Sequence, residues 1–345
     1  MLDTRYSFKD NKGLLLVASL WIVAILALLA IGLAHRISLE LHLVKFSRDR
    51  LKAQFALDAA LQFAREIVSN DANDYDSFNE FWANGIFDSN EESVFKDVRL
   101  KEANFTIGYQ SQERNDFVYG LRDEESKLNI NTAPINLLQI LFYQLGIENS
   151  REIAASILDW IDQDEMTSFD GAEDDHYQGL PEPYHCKNAP LSVIEELLLI
   201  KGMDEEKFEK IKPFVTLYGD GKININTTSA IVIESLLISR GVLDSTARKL
   251  AKEVSEYRLG DDGIIGTGDD KIFRRFEDIT PSLSSSLSLG EFAKCADMLK
   301  FKAEIFRADI LATSANKVAK QKAACIFKKD TRAIKAPELV YWQEQ

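Results

Sequence analysis

Residues 14–34, LLLVASLWIVAILALLAIGLA, run without a charge. At 1.5 Å rise per residue such a run spans roughly 30 Å, the thickness of a bilayer core, so the pattern predicts one membrane-crossing helix. Residues 35–69 contain no proline or glycine, and Ala53, Leu57, Ala60, Leu61, Ala64, Ile67 and Val68 recur at helical spacing. The same helix is therefore expected to continue beyond the membrane. Between residues 91 and 119 the pattern becomes strand-like, notably in NFTIGYQ (104–110) and DFVYGL (116–121). It then turns helical: five segments starting at Ala133, Ser150, Ser192, Ser229 and Ser245 each carry a 3.6-residue apolar stripe. After Lys300 the alternation returns in FKAEIFRADILA, KAACIFKK and ELVYWQE, which are expected to pair with the earlier strands. SLSSSLSLG (282–290) reads as a mobile loop. The fold class is α+β, a long N-terminal helix and an antiparallel sheet with a large helical block set between its strands.

The helical block contains an internal repeat. KLNINTAP at 127–134 returns as KININTTS at 222–229, and each copy leads into an apolar helix ending at a glycine, Gly146 and Gly241. Asn131 or Thr132 is placed to cap the first of these helices, Pro134 suits its first turn, and the glycines suit left-handed helix ends.

Charge is unevenly spread. Of the net −14, all lies in residues 121–300, where 33 Asp and Glu face 19 Lys and Arg; the remainder is neutral. An acidic module repels phosphate backbones and attracts cations. Asp162, Asp164, Asp170, Glu173, Asp174 and Asp175 crowd one stretch interrupting a helix at a Gly-Ala turn, where a flexible loop can fold carboxylates around a calcium ion. The spacing breaks the EF-hand pattern at Met166. Asp162, Asp164, Glu173 and Asp174 are the leading ligand candidates, with Asp170 and Asp175 behind them. Asp261, Asp262, Asp269 and Asp270, set among four glycines, form a secondary candidate loop. His176, His185 and Cys186 hint at zinc, but the excess of oxygen donors favours calcium. Solvated acidic faces are the plain alternative for both loops. Cys186, Cys295 and Cys325 are too few for a disulfide framework, though one bridge with a thiol left over is possible. No G-x-S-x-G, P-loop, H-E-x-x-H or Rossmann glycine pattern is present, so a non-catalytic role is expected.

The N-terminus resembles those of type IV pilins and type II secretion pseudopilins: a charged leader ending in Lys12-Gly13, then an apolar run and a continuous helix. The resemblance implies that a prepilin peptidase cuts after Gly13 and methylates Leu14. A cleaved secretory signal ending near "GLA" before His35 is the alternative, but its apolar region would be unusually long. Arg5, Lys9 and Lys12 against two aspartates keep the leader cytoplasmic. The fifth mature residue, glutamate in most of these families, is Ala18 here. In the families' assembly scheme that glutamate pairs with the N-terminus of the subunit above, and an unpaired carboxylate in lipid is costly. Ala18 therefore points to a subunit at the tip.

The combination of DWIDQD, GAEDDHY, PEPY, KNAPL and EELLLIKGM with the paired N-I-N-T units and Ala18 is similar to the family of minor pseudopilin K of the type II secretion system. The resemblance implies a leader (1–13), a membrane segment (14–34), a pilin helix with first strands (35–120), an inserted helical domain of helix-hairpin-helix or SAM-like type (121–297) and closing strands (298–345). It further implies calcium in the insertion and an inner-membrane, single-pass protein with its body in the periplasm. The implied partners are minor pseudopilins I and J, with H or the major pseudopilin G below them. The competing reading is a membrane-anchored helix-hairpin-helix DNA-binding protein of a competence-type system. The DNA readers need a basic rim, so the acidic module argues for no nucleic acid.

Overall fold

The computed structural model describes residues 12–85, 93–111, 116–329 and 336–344. The leader with Arg5 and Lys9 lies outside them, except for the backbone of residues 12 and 13. Helix α1 (Lys12–Asn70) is one unbroken helix of 59 residues, about 90 Å long at its rise per residue. Its residues 14–34 are uncharged and exposed on every side, and the mean hydropathy of the helix reaches 3.0 over its most apolar 18-residue window. Among the described residues it is the only helix long and apolar enough to cross a membrane. The second half is amphipathic. Ala53, Ala56, Leu57, Ala60, Ala64, Ile67 and Val68 bury one face against a sheet, in a core with Trp82, Phe95, Phe105, Phe306 and Phe327. Alanines along this stripe let the helix backbone approach the strands closely.

The sheet is antiparallel throughout. Before the insertion come β1 (Val98–Arg99), β2 (Ala103–Gln110), β3 (Phe117–Tyr119) and β4 (Arg122–Asp123). After it come β9 (Ile305–Ser314), β10 (Lys320–Lys328) and β11 (Glu338–Glu344), with β5–β8 lying within the insertion. The order is β1-β2-β9-β10-β11, with β3 on β2 and β4 on β9. The chain leaves the sheet and returns to it at paired residues, Asp123 opposite Phe306. A large insertion can therefore sit there without disturbing the ladder that joins Ala103–Ile107 to Ile310–Ser314.

The insertion has its own core, a cluster separate from that under α1. It is built as two similar units. The first runs through β5 (Leu128–Asn129), α2 (Ile135–Gln144), α3 (Ser150–Ile161), α4 (Asp174–Gln178), a 3₁₀ turn at Ile194–Leu199, α5 (Glu205–Ile211), a 3₁₀ turn at Lys212–Phe214 and β6 (Val215–Thr216). The second runs through β7 (Ile223–Asn224), α6 (Ala230–Ser239), α7 (Asp244–Arg258), a 3₁₀ turn at Phe276–Ser282, α8 (Ser286–Ala293), a 3₁₀ turn at Ala296–Met298 and β8 (Leu299–Lys300). In each unit the first strand pairs in parallel with the last, Leu128 with Val215 and Ile223 with Leu299. Gly146 and Gly241, at φ 75° and 81°, end α2 and α6 in the same way. The N–H of the residue after each glycine returns to a carbonyl five residues back, Ile147 to Phe142 and Val242 to Leu237.

The repeated asparagines are clamps, and the capping role expected for them is not the one observed. The N-cap positions of α2 and α6 are Pro134 and Ser229, and neither makes a side-chain cap. Instead the first asparagine of each copy folds its own turn: Asn131 N–H donates to Asn129 Oδ1 at 3.0 Å and Asn226 N–H to Asn224 Oδ1 at 3.1 Å. The second asparagine grips a distant backbone with both ends of its amide. Asn131 accepts from Leu191 N–H and donates to Leu191 O (2.8 and 3.1 Å), while Asn226 accepts from Phe273 N–H and donates to Phe273 O (2.9 and 2.8 Å). Each grip pins the chain on the C-terminal side of one of the acidic stretches. The second copy also ties the insertion to the body formed by α1 and the sheet: Asn224 Nδ2 donates to Asp76 O and Asp123 Oδ2, and Thr227 Oγ1 donates to Asp123 Oδ2.

Replacing Asn226 with alanine strands the buried N–H and C=O of Phe273. At ~1–3 kcal/mol for each orphaned group, a loss of about 3 kcal/mol is expected in urea unfolding followed by tryptophan fluorescence. Asn226→Asp keeps the acceptor but faces a carboxylate to Phe273 O, and should do no better. An unchanged midpoint for both variants would show that the grip contributes nothing.

Two other expectations are corrected. The serine-rich stretch read as a mobile loop is helical from Ser286, and Leu283 within it and Phe292 just beyond it pack on the insertion core. These two apolar anchors hold the stretch in place despite its serines. No disulfide forms: Cys186, Cys295 and Cys325 are all free thiols, with Cys295 and Cys325 buried in different cores.

Candidate metal centre

Asp162 ends α3, its N–H donating to Leu158 O at 3.0 Å while its backbone turns extended. Two residues on, Asp164 folds the loop by accepting Met166 N–H at 2.8 Å. The loop is pinned from beneath by Asp159, fully buried in α3, whose two oxygens take Ser168 N–H at 3.2 and 3.0 Å. Gly171 passes so close that a Cβ there would stand 2.0 Å from Asp159 Oδ2, so only glycine fits. That approach delivers Glu173, buried at the start of α4, into the space beside Asp162.

Three of the expected ligands therefore converge. Asp162, Asp164 and Glu173 each offer an oxygen within 4.8 Å of the others. Asp162 Oδ1 and both oxygens of Glu173 are shielded from solvent and accept no hydrogen bond. Asn188 Oδ1 is in the same condition, and its amide reaches the Asp164 carbonyl at 3.4 Å. Burial pushes the Asp162 and Glu173 carboxyls above the ordinary range; neighbouring Asp164 and Asp159 add to the rise at Asp162, as Asp159 and Asp162 do at Glu173. Buried carboxylate oxygens without donors, aimed at one another, suit a hard cation that supplies the missing charge.

Asp174 is placed differently from its neighbours. Its Oδ1 accepts Cys186 N–H at 2.8 Å and lies 3.1 Å from His185 Nδ1. The Cys186 N–H leads in holding its carboxyl below the usual range, with His185 assisting. Asp170 pairs with Arg151 at 3.2 Å, and Asp175 is exposed on α4. Burial pushes the Cys186 thiol up to about 11, which keeps it a poor zinc ligand.

The second loop uses its acids as internal braces. Asp269 Oδ2 accepts Asp261 and Asp262 N–H (2.6 and 3.1 Å), its Oδ1 accepts Thr267 Oγ1–H, and Asp270 Oδ2 accepts Gly266 N–H at 2.7 Å. These bonds, led by that of Thr267, hold Asp269 down at about 2. Asp262 turns to Ile264 N–H and Asp261 is exposed. Among the described residues no three carboxylates of this loop meet. Sequence reasoning missed Asn188, whose place beside Asp164 comes only from the fold, and a second carboxylate group at Asp71, Asp76 and Glu80.

Comparison with known proteins follows the same outline. Residues 115–220 match the family model for the type II secretion system (T2SS), protein K. A putative type II secretion system protein K of Escherichia coli K12 is 25% identical over 266 residues, covering 71% of this chain and 75% of the relative. The type II secretion system protein K of Pectobacterium carotovorum is 33% identical over 138 residues, 39% of this chain and 42% of the relative. Among solved structures, a chain of the GspK-GspI-GspJ complex from enterotoxigenic E. coli superposes with a TM-score of 0.64. It is 17% identical and covers 88% of this chain and 99% of that chain.

Proposed function

We propose, from its similarity to type II secretion system protein K, that this chain belongs to that family and is the minor pseudopilin that caps or nucleates the pseudopilus at its tip, a structural and non-catalytic part of the export machinery. The observation that carries the tip position is Ala18, apolar where a subunit with a neighbour above would place a pairing carboxylate. The insertion supports it, since a second core as large as the pilin body crowds the side of a helical fibre. The body lies in the periplasm and the exposed half of α1 in the inner membrane. Pseudopilins I and J are the partners, as in the assembly of the structurally similar chain.

Full-length protein co-produced with pseudopilins I and J should purify with both in detergent and show no affinity for duplex DNA at physiological salt. Failure to recover either partner sinks the reading, and tight, salt-sensitive DNA binding would replace it with the helix-hairpin-helix alternative. Processing gives a separate check. Mass spectrometry of protein from cells with a prepilin peptidase should find a methylated N-terminus at Leu14; a start at His35 would mark a secretory signal.

Calcium belongs to the same proposal. Asp162, Asp164 and Glu173 are its carboxylate ligands, with Asn188 Oδ1 positioned to join them and Asp174 reserved for Cys186. The ion would supply the charge that lets these acids share one buried space, so that the loop closes against α3.

A further inference from the structure

The loop that leaves α1 gathers carboxylates of its own, distinct from those of the insertion's acidic loops. Asp71, Asp76 and Glu80 each present an oxygen within 4.8 Å of the others. Backbone contacts place them. Asp76 N–H donates to Phe301 O at 3.0 Å and its Oδ2 accepts Ala303 N–H at 2.8 Å, which brings the loop against the segment between β8 and β9. Glu80 Oε2 accepts Ser77 N–H and Trp82 Nε1–H at 2.9 and 3.0 Å, and Asn73 Nδ2 donates to its Oε1.

Glu80 thus has three donors, whereas Asp76 has one. Asp76 is 0% exposed, yet its Oδ1 accepts nothing while it faces two other carboxylates. One ammonium group meets the cluster at its edge, Lys329 Nζ on Asp71 Oδ2 at 2.6 Å, and Lys302 Nζ binds Asn73 O, but neither donates to Asp76 Oδ1. Burial, followed by the charges of Asp71 and Glu80, pushes Asp76 up to about 10. An ionised carboxylate in this position therefore needs a cation to replace the missing donor.

We infer that Asp71, Asp76 and Glu80 form a second divalent-cation site, selective for calcium, that fastens the end of α1 to the segment leading into β9. The donor set is all oxygen, with no imidazole or thiolate among the three residues, which favours a hard ion over zinc. The site stands independently of the reading of the insertion loop, because none of its residues belongs to that loop.

The test uses the full chain in detergent. Calcium binding is measured by equilibrium dialysis at millimolar free calcium, with circular dichroism to confirm that each variant is folded. D162N/D164N, which disables the insertion loop, should still retain one equivalent of calcium, and adding E80Q should remove it. D71N, at the partly exposed end of the cluster, should weaken the same equivalent at least tenfold. Terbium bound in D162N/D164N should emit on tryptophan excitation, because the Trp82 indole touches Glu80, and E80Q should abolish that emission. The inference is overturned if D162N/D164N binds no calcium, or if E80Q and D71N leave the bound calcium unchanged.

Discussion

Lys127→Ala is expected to destabilise the protein by about 3–5 kcal/mol, the range for removing one partner of a buried ion pair. Lys222→Ala, at the equivalent place in the second repeat, should stay within about 0.5 kcal/mol. The same letter of the same motif has two environments. Lys127 Nζ lies 2.7 Å from Glu124 Oε1, with the two side chains 8% and 3% exposed, and Thr216 Oγ1 donates to the other Glu124 oxygen. Lys222 is exposed. Burial pushes the Glu124 carboxyl up, but the charges of Lys127, Arg307 and Arg122 outweigh it and hold it at about 2. A depressed carboxyl contributes stability above its unfolded value of about 4.5, lost as pH falls toward 2. The Lys127→Ala deficit should therefore be largest near neutral pH and shrink on acidification, as the orphaned carboxyl takes up a proton. Equal losses for the two lysine variants in urea melts would contradict this account.

Calcium should raise the melting temperature by about 5–10 °C over chelator. At a concentration 100-fold above the dissociation constant, binding to the folded state alone adds about 2.7 kcal/mol, and each kcal/mol moves a domain of this size by about 2–4 °C. Asp162→Asn with Asp164→Asn should remove most of the shift. Asp174→Asn should leave most of it, because that carboxylate holds Cys186 and not the cluster. The pH dependence has a definite sign. Asp162 and Glu173 have raised folded values, so without metal the stability they contribute is complete below the ordinary carboxylate range and is lost as pH rises through those values. The calcium shift should therefore be small in acid and grow toward neutrality. Identical melting curves in chelator and in calcium would leave the acids as a solvated face.

The long helix and the closing strands were legible because their periods persist over many residues. Ala53, Leu57, Ala60 and Ala64 mark one helix face without help from elsewhere. The repeat was legible as a repeat, but its purpose was not. Asn131 and Asn226 find their partners 60 and 47 residues away, at Leu191 and Phe273, and no local pattern announces a grip across such a distance. β5 to β8 are two residues each, too short to show alternation. Crowding of acids drew attention to the first loop, yet did not separate Glu173, turned inward, from Asp174, turned toward Cys186. The acids around Asp76 escaped notice because they are sparser, and because Phe301 and Ala303, which hold Asp76 in place, come from the far side of the insertion.

The pairing of Asp123 with Phe306 has a mechanical consequence. A pull along α1 reaches the sheet through the buried alanine stripe and is resisted in shear by the β2–β9 and β4–β9 hydrogen bonds. Because the insertion's two ends are held side by side at that ladder, most of the tension would pass through the sheet, and the insertion would feel it chiefly at the Asn224 and Thr227 bonds to Asp76 and Asp123. The helical units would hang from the loaded sheet as a side group and keep their shape while the body beneath them is pushed or drawn.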